Sequence, residues 1–212
     1  MDIVIYLFDG ITALDAVGPY EVLTRLPGAT ARFVGDSVGP ARTDNGALAL
    51  HCDVARSEID GADILLMPGG FGTRRLEQDL DLLDWVRRID ATAKSTLSVC
   101  TGSMVLAAAG LLEGRRATTH WASLERLAEY GATPTQERTV RDGKYTTAAG
   151  VSAGIDMALR FVAEEAGADL AREIQLGIEY DPDPPFDCGS VTKAPPEIVQ
   201  AIRDRFRLRT ES

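Results

Sequence analysis

Thr96-Leu97-Ser98-Val99-Cys100-Thr101-Gly102-Ser103-Met104-Val105-Leu106-Ala107-Ala108-Ala109 decides the fold class. Three of its first four residues are β-branched or apolar and the run is too short for a helix, which predicts a buried strand over 96–99. The stretch from 103 to 109 is a helix former. Between them Ser98-Val99-Cys100-Thr101-Gly102 has the spacing of a nucleophile elbow, a tight strand-to-helix turn with small neighbours around a reactive side chain. Such a turn lifts the sulfur out of the sheet. It also sets it at a helix N-terminus, whose unpaired N–H groups favour a thiolate. A packed core cysteine is the alternative, the common fate of an intracellular thiol.

Outward from this turn the same alternation recurs. Apolar or β-rich runs at 3–8, 30–35, 47–54 and 62–67 read as strands, with Leu48, Leu50 and Cys52 on one face of the third. Helical patterns follow: one capped near Asp15 through Leu23, with Gly18-Pro19 in its first turn, then 74–80, 82–89, and 121–130 ended by Gly131. Strands at 138–141 and 145–148 flank Asp142-Gly143, a hairpin signal. Residues 152–166 carry Ile155, Ala158, Leu159 and Val162 at helical spacing and stop at Gly167. A helix over 168–180 gives way to three prolines in five residues at 181–185, and a last helix after Pro195-Pro196 is predicted to bury Ile198, Ile202 and Phe206. Alternating strands and helices without a long linker imply one α/β domain over 1–212, a mostly parallel sheet sandwiched by helices. In such sheets ligands bind beyond the C-terminal strand ends.

Composition narrows the function. The 212 residues hold 22 Lys+Arg against 32 Asp+Glu, a formal charge of −10, and no basic stripe of the kind a nucleic-acid partner needs. No apolar run approaches the roughly 18 residues of a membrane span. No signal-peptide pattern opens the chain. Cys52, Cys100 and Cys188 form neither a disulfide framework nor a metal spacing, so a reduced, cytoplasmic protein is expected. Cys188, in a proline-flanked loop, is left open between an exposed thiol and one buried at a subunit contact.

Two further features lie at predicted strand ends. Pro68-Gly69-Gly70-Phe71-Gly72 can turn its N–H groups toward one point, an anion-binding nest; alone it is equally a glycine-rich reversal. Asp15, in Leu14-Asp15-Ala16-Val17-Gly18-Pro19-Tyr20-Glu21, reads from local sequence as an N-cap, and its place after the first strand also sets a carboxyl on the sheet edge of Cys100, where it can pass protons. Glu21 reads as structural or solvated. His120, in Ala117-Thr118-Thr119-His120-Trp121, is as much a pocket-lining residue as a base, and His51 carries no signal. Metal clusters, phosphate loops and dinucleotide fingerprints are not found.

These motifs, in this order, resemble the DJ/PfpI superfamily of the class I glutamine amidotransferase-like, flavodoxin-like fold. Asp15-Ala16-Val17-Gly18-Pro19-Tyr20-Glu21-Val22, Gly150-Val151-Ser152-Ala153-Gly154-Ile155-Asp156 and Glu179-Tyr180-Asp181-Pro182-Asp183-Pro184-Pro185-Phe186 extend the resemblance over nearly the whole chain. Within the superfamily it is nearest to isocyanide hydratases and to sensor domains of AraC-type regulators. The resemblance implies Cys100 as nucleophile and Asp15 as the acid bonded to it. It implies Thr101 as the following residue facing the site and Gly70 as the other oxyanion donor. It also implies a small-molecule substrate, no cofactor, and a homodimer without nucleic-acid or membrane partners. The proteolytic branch places a His directly after the Cys, where this chain has Thr101. The expected activity is hydration of isocyanides to formamides. The rivals are a stand-alone ligand sensor, since the sequence ends soon after its last predicted helix without a helix-turn-helix unit, and a glyoxalase or deglycase.

Overall fold

The computed structural model describes residues 1–211, with side chains through Arg209. The chain forms two compact units, Met1–Ile178 and Glu179–Ser212.

In the larger unit the apolar runs become strands because a parallel sheet covered on both faces buries every side chain. Ile3 to Tyr6 of β1 (Asp2–Tyr6) and all of β6 (Ile64–Met67) and β7 (Ser95–Val99) are buried. β1 is followed by α1 (Ala13–Leu23) and β2 (Thr30–Gly35), and α2 (Thr73–Leu76) and α3 (Leu80–Thr92) lie between β6 and β7. With β5 (Val54–Ala55), β10 (Thr139–Asp142) and β11 (Tyr145–Ala148), the sheet order is β10-β11-β7-β6-β1-β2-β5; each of the sheet's pairs is parallel except β10 with β11. The chain thus starts at mid-sheet, winds outward to β2, then crosses to β6 and on to β7. The loops after β1 and β6 therefore meet at the point where the winding reverses, with the end of β7 beside them.

The predicted strand at 47–54 divides. A hairpin the sequence did not suggest, β3 (Gly39–Arg42) with β4 (Ala49–Cys52), stands apart from the main sheet, and only β5 (Val54–Ala55) joins its edge. After β7 come α4 (Gly102–Ala108), β8 (Arg116–Ala117), β9 (Thr133–Pro134), and the hairpin of β10 (Thr139–Asp142) and β11 (Tyr145–Ala148), turned at Gly143 as Asp142-Gly143 predicts. Residues Trp121–Tyr130 wind as a 3-10 helix that Gly131 ends with a positive φ of 75°. The 74–80 helix shortens to α2, because Asp79 instead caps α3 by accepting from the Leu82 N–H. α5 (Ala153–Ala166) and α6 (Ala168–Gly177) close the unit. The buried face of α5 runs through Gly154, Met157, Ala158, Phe161 and Val162, one step round from the predicted stripe.

Two expectations for the first helix are corrected. Thr12 occupies the N-cap position and Asp15 is the third helical residue, so Asp15 caps nothing. Pro19 lies in the helix interior rather than its first turn. Its ring packs where a Cβ on Gly154 would come within 3.1 Å, so the absent side chain of Gly154 lets α5 approach α1. In the smaller unit α7 (Pro196–Glu211) leaves Ile198 exposed and Ile202 and Phe206 half-buried, not the buried stripe predicted. Cys188 is a half-buried free thiol.

Candidate active site

The backbone of Cys100 adopts φ +55°, an uncommon conformation for a residue with a Cβ, and this is the bend that turns β7 into α4. The surroundings hold it there. The Cys100 N–H donates to the carbonyls of Ala148 and Ala149, and the Thr119 and Ser103 hydroxyls donate to its carbonyl at 2.8 and 3.2 Å. Gly102 is required at the next turn, because a Cβ there would come 2.0 Å from the Met67 carbonyl oxygen.

The structure brings together three of the predicted features. Asp15 reaches down from α1, its side chain fully buried, and Oδ2 accepts the Gly69 N–H at 3.0 Å. Its other oxygen, Oδ1, is buried without a hydrogen-bond partner among the described residues, and the carboxyl as a whole interacts with the Cys100 thiol. The Pro68-to-Gly72 loop passes so close that a Cβ on Gly69 would lie 2.6 Å from the Thr101 N, 2.8 Å from Asp15 Oδ2 and 2.9 Å from Cys100 Cβ. The Gly70 N–H donates to Thr101 Oγ1 at 3.0 Å, so it meets the hydroxyl rather than opening into the site. Thr12 N–H to Gly69 carbonyl ties the loop after β1 to the loop after β6.

Burial governs the electrostatics. It pushes the Asp15 carboxyl up to about 7, against the opposing bonds from Gly69 and Cys100. Cys100 is 6% exposed; burial, then the negative charge of an ionised Asp15, pushes its thiol up to about 12. From pH of about 7 to about 12 the two groups therefore hold one proton and one negative charge between them. Two N–H groups, those of Val151 and Thr101, favour charge on the sulfur, while the Thr101 hydroxyl donates to the Gly70 carbonyl at 3.1 Å; on the carboxyl, Oδ2 accepts the Gly69 N–H.

His120 lies against Gly150, the residue before Val151. A Cβ on Gly150 would come 3.0 Å from its Cδ2. Its Nδ1 accepts the Ala122 N–H, which places the ring proton on Nε2, and burial followed by the Arg74 charge pulls its pKa down to about 4. The ring is therefore neutral near pH 7. Glu21 pairs with Arg25 at the surface and His51 is exposed on the β3–β4 hairpin. Among the described residues no cluster of three or more His, Cys, Asp or Glu side chains suits a metal ion, and no helix is long and apolar enough to cross a membrane.

Sequence reasoning missed Gly69 and Val151. Both lie in quoted motifs, but spacing does not say which of several glycines lies against the sulfur, and Val151 acts through its N–H, which leaves no mark on residue type.

Relatives show the same architecture. The chain is 43% identical to isonitrile hydratase of Pseudomonas putida over 97% of its length and 91% of the enzyme's. It is 33% identical to the HTH-type transcriptional regulator CdhR of Pseudomonas aeruginosa over 76% of its length, spanning 48% of the regulator. A crystal structure of a ThiJ/PfpI family protein from Pseudomonas syringae superposes with a TM-score of 0.94 at 39% identity, covering 99% of this chain and 87% of that one. Drosophila melanogaster DJ-1beta, at 20% identity and a TM-score of 0.75, shares the fold over 84% of this chain and 97% of its own. The model of the DJ-1/PfpI family matches residues 1–164, from β1 through the elbow and into α5, and the chain belongs to that family.

Proposed function

We propose that this protein is a cofactor-independent hydratase that converts organic isocyanides, R–N≡C, into N-substituted formamides through Cys100. The observation that carries the reading is the buried Asp15 carboxyl set beside the Cys100 thiol at the strand-to-helix turn, with the Gly69 loop packed against both. The 43% identity to an isonitrile hydratase over nearly the whole chain supports it.

We infer that the pair reacts in the form with its negative charge on the Cys100 sulfur, under the Val151 and Thr101 N–H groups, and its proton on Asp15, although burial by itself favours the thiol. The terminal carbon of an isocyanide accepts both a nucleophile and a proton. Sulfur forms the C–S bond as the Asp15 proton moves to that carbon, giving the thioimidate R–N=CH–S–Cys100. Asp15, now a carboxylate, takes a proton from water as the oxygen adds to the same carbon. That proton goes on to nitrogen, giving R–NH–CH(OH)–S–Cys100. Loss of the hydroxyl proton to Asp15 and cleavage of the C–S bond release R–NH–CHO and restore the pair. The proton that starts on Asp15 ends on the formyl carbon, and water supplies the rest. Thr101 stabilises charge on the sulfur and on the added oxygen, a contribution of about 3 kcal/mol for a well-placed donor. Gly70 acts through Thr101, whose hydroxyl it holds.

The reading includes a homodimer and a cytoplasmic location. Three free cysteines support the second. The identity to a regulator favours a second reading, a ligand-sensing domain. Turnover of an aryl isocyanide by wild type and Cys100→Ala decides between them. The hydratase reading expects turnover that the variant loses; binding without turnover in wild type establishes the sensor instead.

A further inference from the structure

α2 begins at Thr73, directly after the loop whose Gly69 and Gly70 lie against Cys100 and Thr101, and its second residue is Arg74. The guanidinium carbon lies over the Phe71 ring, 5.0 Å from the ring centroid, and the side chain is half-buried. It has no hydrogen bond and no ion pair with any described residue. The nearby carboxylate, Glu77, is buried and engaged elsewhere: Oε2 accepts from Arg126 and from the Tyr130 hydroxyl. Arg126 is bonded to Glu77 and also feels Glu129, so Arg74 is the guanidinium here without a bonded carboxylate. Its charge is felt at His120, and Arg74 in turn feels Cys100.

An arginine stacked on an aromatic ring has its π-face covered and its N–H donors in the ring plane, the arrangement that receives a planar carboxylate through paired bonds. Half-burial raises the worth of such a pair above that of an exposed one. Neutral His120 does not compete for an anion, and the charge of the Cys100–Asp15 pair, which Arg74 feels, is used up at the sulfur as the C–S bond forms. We propose that Arg74 receives an anionic group on the substrate's substituent, so that the preferred substrates are isocyanides bearing a carboxylate. This deepens the hydratase reading and rests on it.

The test compares isocyanoacetate with its uncharged methyl ester, which share the reacting group. For wild type we expect kcat/KM to favour the acid by about tenfold, the size of one charge-assisted bond, expressed mainly in KM. Arg74→Gln brings the acid-to-ester ratio to about one, and Arg74→Lys, which keeps the charge without the planar fork, retains part of it. Added salt lowers the wild-type ratio. Melting curves establish that the variants are folded. A wild-type ratio of one or less, or a ratio that Arg74→Gln leaves unchanged, overturns the proposal. So does an Arg74→Gln enzyme in which only the pH profile moves, since Arg74 then serves the sulfur. Should wild type turn over the ester but not prefer the acid, this inference fails alone; should it turn over neither, the hydratase reading fails and takes this one with it.

Discussion

Replacing Asp15 by Asn separates what the carboxyl does for the reaction from what it costs the fold. The side chain is fully buried, and burial raises its pKa from 3.8 to about 7. A carboxyl that holds its proton more tightly when folded than when unfolded destabilises the protein once the unfolded chain has released that proton. The cost is absent below pH 3.8, grows as pH rises, and is complete above about 7. A shift of this size corresponds to about 4 kcal/mol, and sharing the charge with Cys100 reduces it to roughly 2–4 kcal/mol. Asn matches the shape, keeps an oxygen for the Gly69 N–H and carries no charge. At pH 8 the variant should therefore melt higher than wild type, by roughly 4–16 °C for a chain of this size. At pH 4 the two should coincide. Isocyanide turnover should fall at least about 100-fold, because the proton carrier is gone. Thermal melts from pH 4 to 8 with turnover at pH 8 read both. A variant that is less stable than wild type at pH 8, or a difference that does not grow with pH, would refute the assignment of a strained carboxyl.

Gly69→Ala adds one methyl group that falls about 0.8 Å short of ordinary separation from the Thr101 nitrogen, with Asp15 and Cys100 equally in the way. It should cost about 1–3 kcal/mol of stability and on the order of 100-fold in kcat/KM. Gly177→Ala, which meets nothing within 4 Å, is its control and should match wild type in rate. A Gly69→Ala enzyme within threefold of wild type would mean the loop does not need its close approach. The wild-type pH–rate profile should rise tenfold per unit up to about pH 7 and then level, because the doubly protonated pair lacks the reacting anion. A profile flat through pH 5 to 8 contradicts the shared proton.

The sheet was legible because burial on both faces demands continuous apolar runs, so residues 3–8 and 62–67 could take few other forms. The elbow was legible because a strand-to-helix reversal around a side chain needs small neighbours, and Ser98, Thr101 and Gly102 supply them. The β3–β4 hairpin was not: Gly39-Pro40-Ala41-Arg42 lacks strand composition and is held by pairing with β4, a tertiary contact. Asp15 misled for a related reason. Local sequence cannot distinguish a carboxyl that caps a helix from one three residues further in, and here the second is the one buried against the Gly69 loop. Its depth, and hence the pair's single proton, comes from α1 packing over the strand ends. Arg74 carried no sequence signal, since a lone arginine on a short helix ordinarily points to solvent.

The location of that shared proton is what the mechanism depends on most. The ultraviolet absorbance of the thiolate, taken as wild type minus Cys100→Ala across pH 5 to 10, measures it directly. If the sulfur carries the charge while Asp15 keeps the proton, the difference signal appears in one step near pH 7. A signal that stays absent through pH 9 and emerges only beyond it would place the proton on the sulfur and contradict attack by a preformed thiolate.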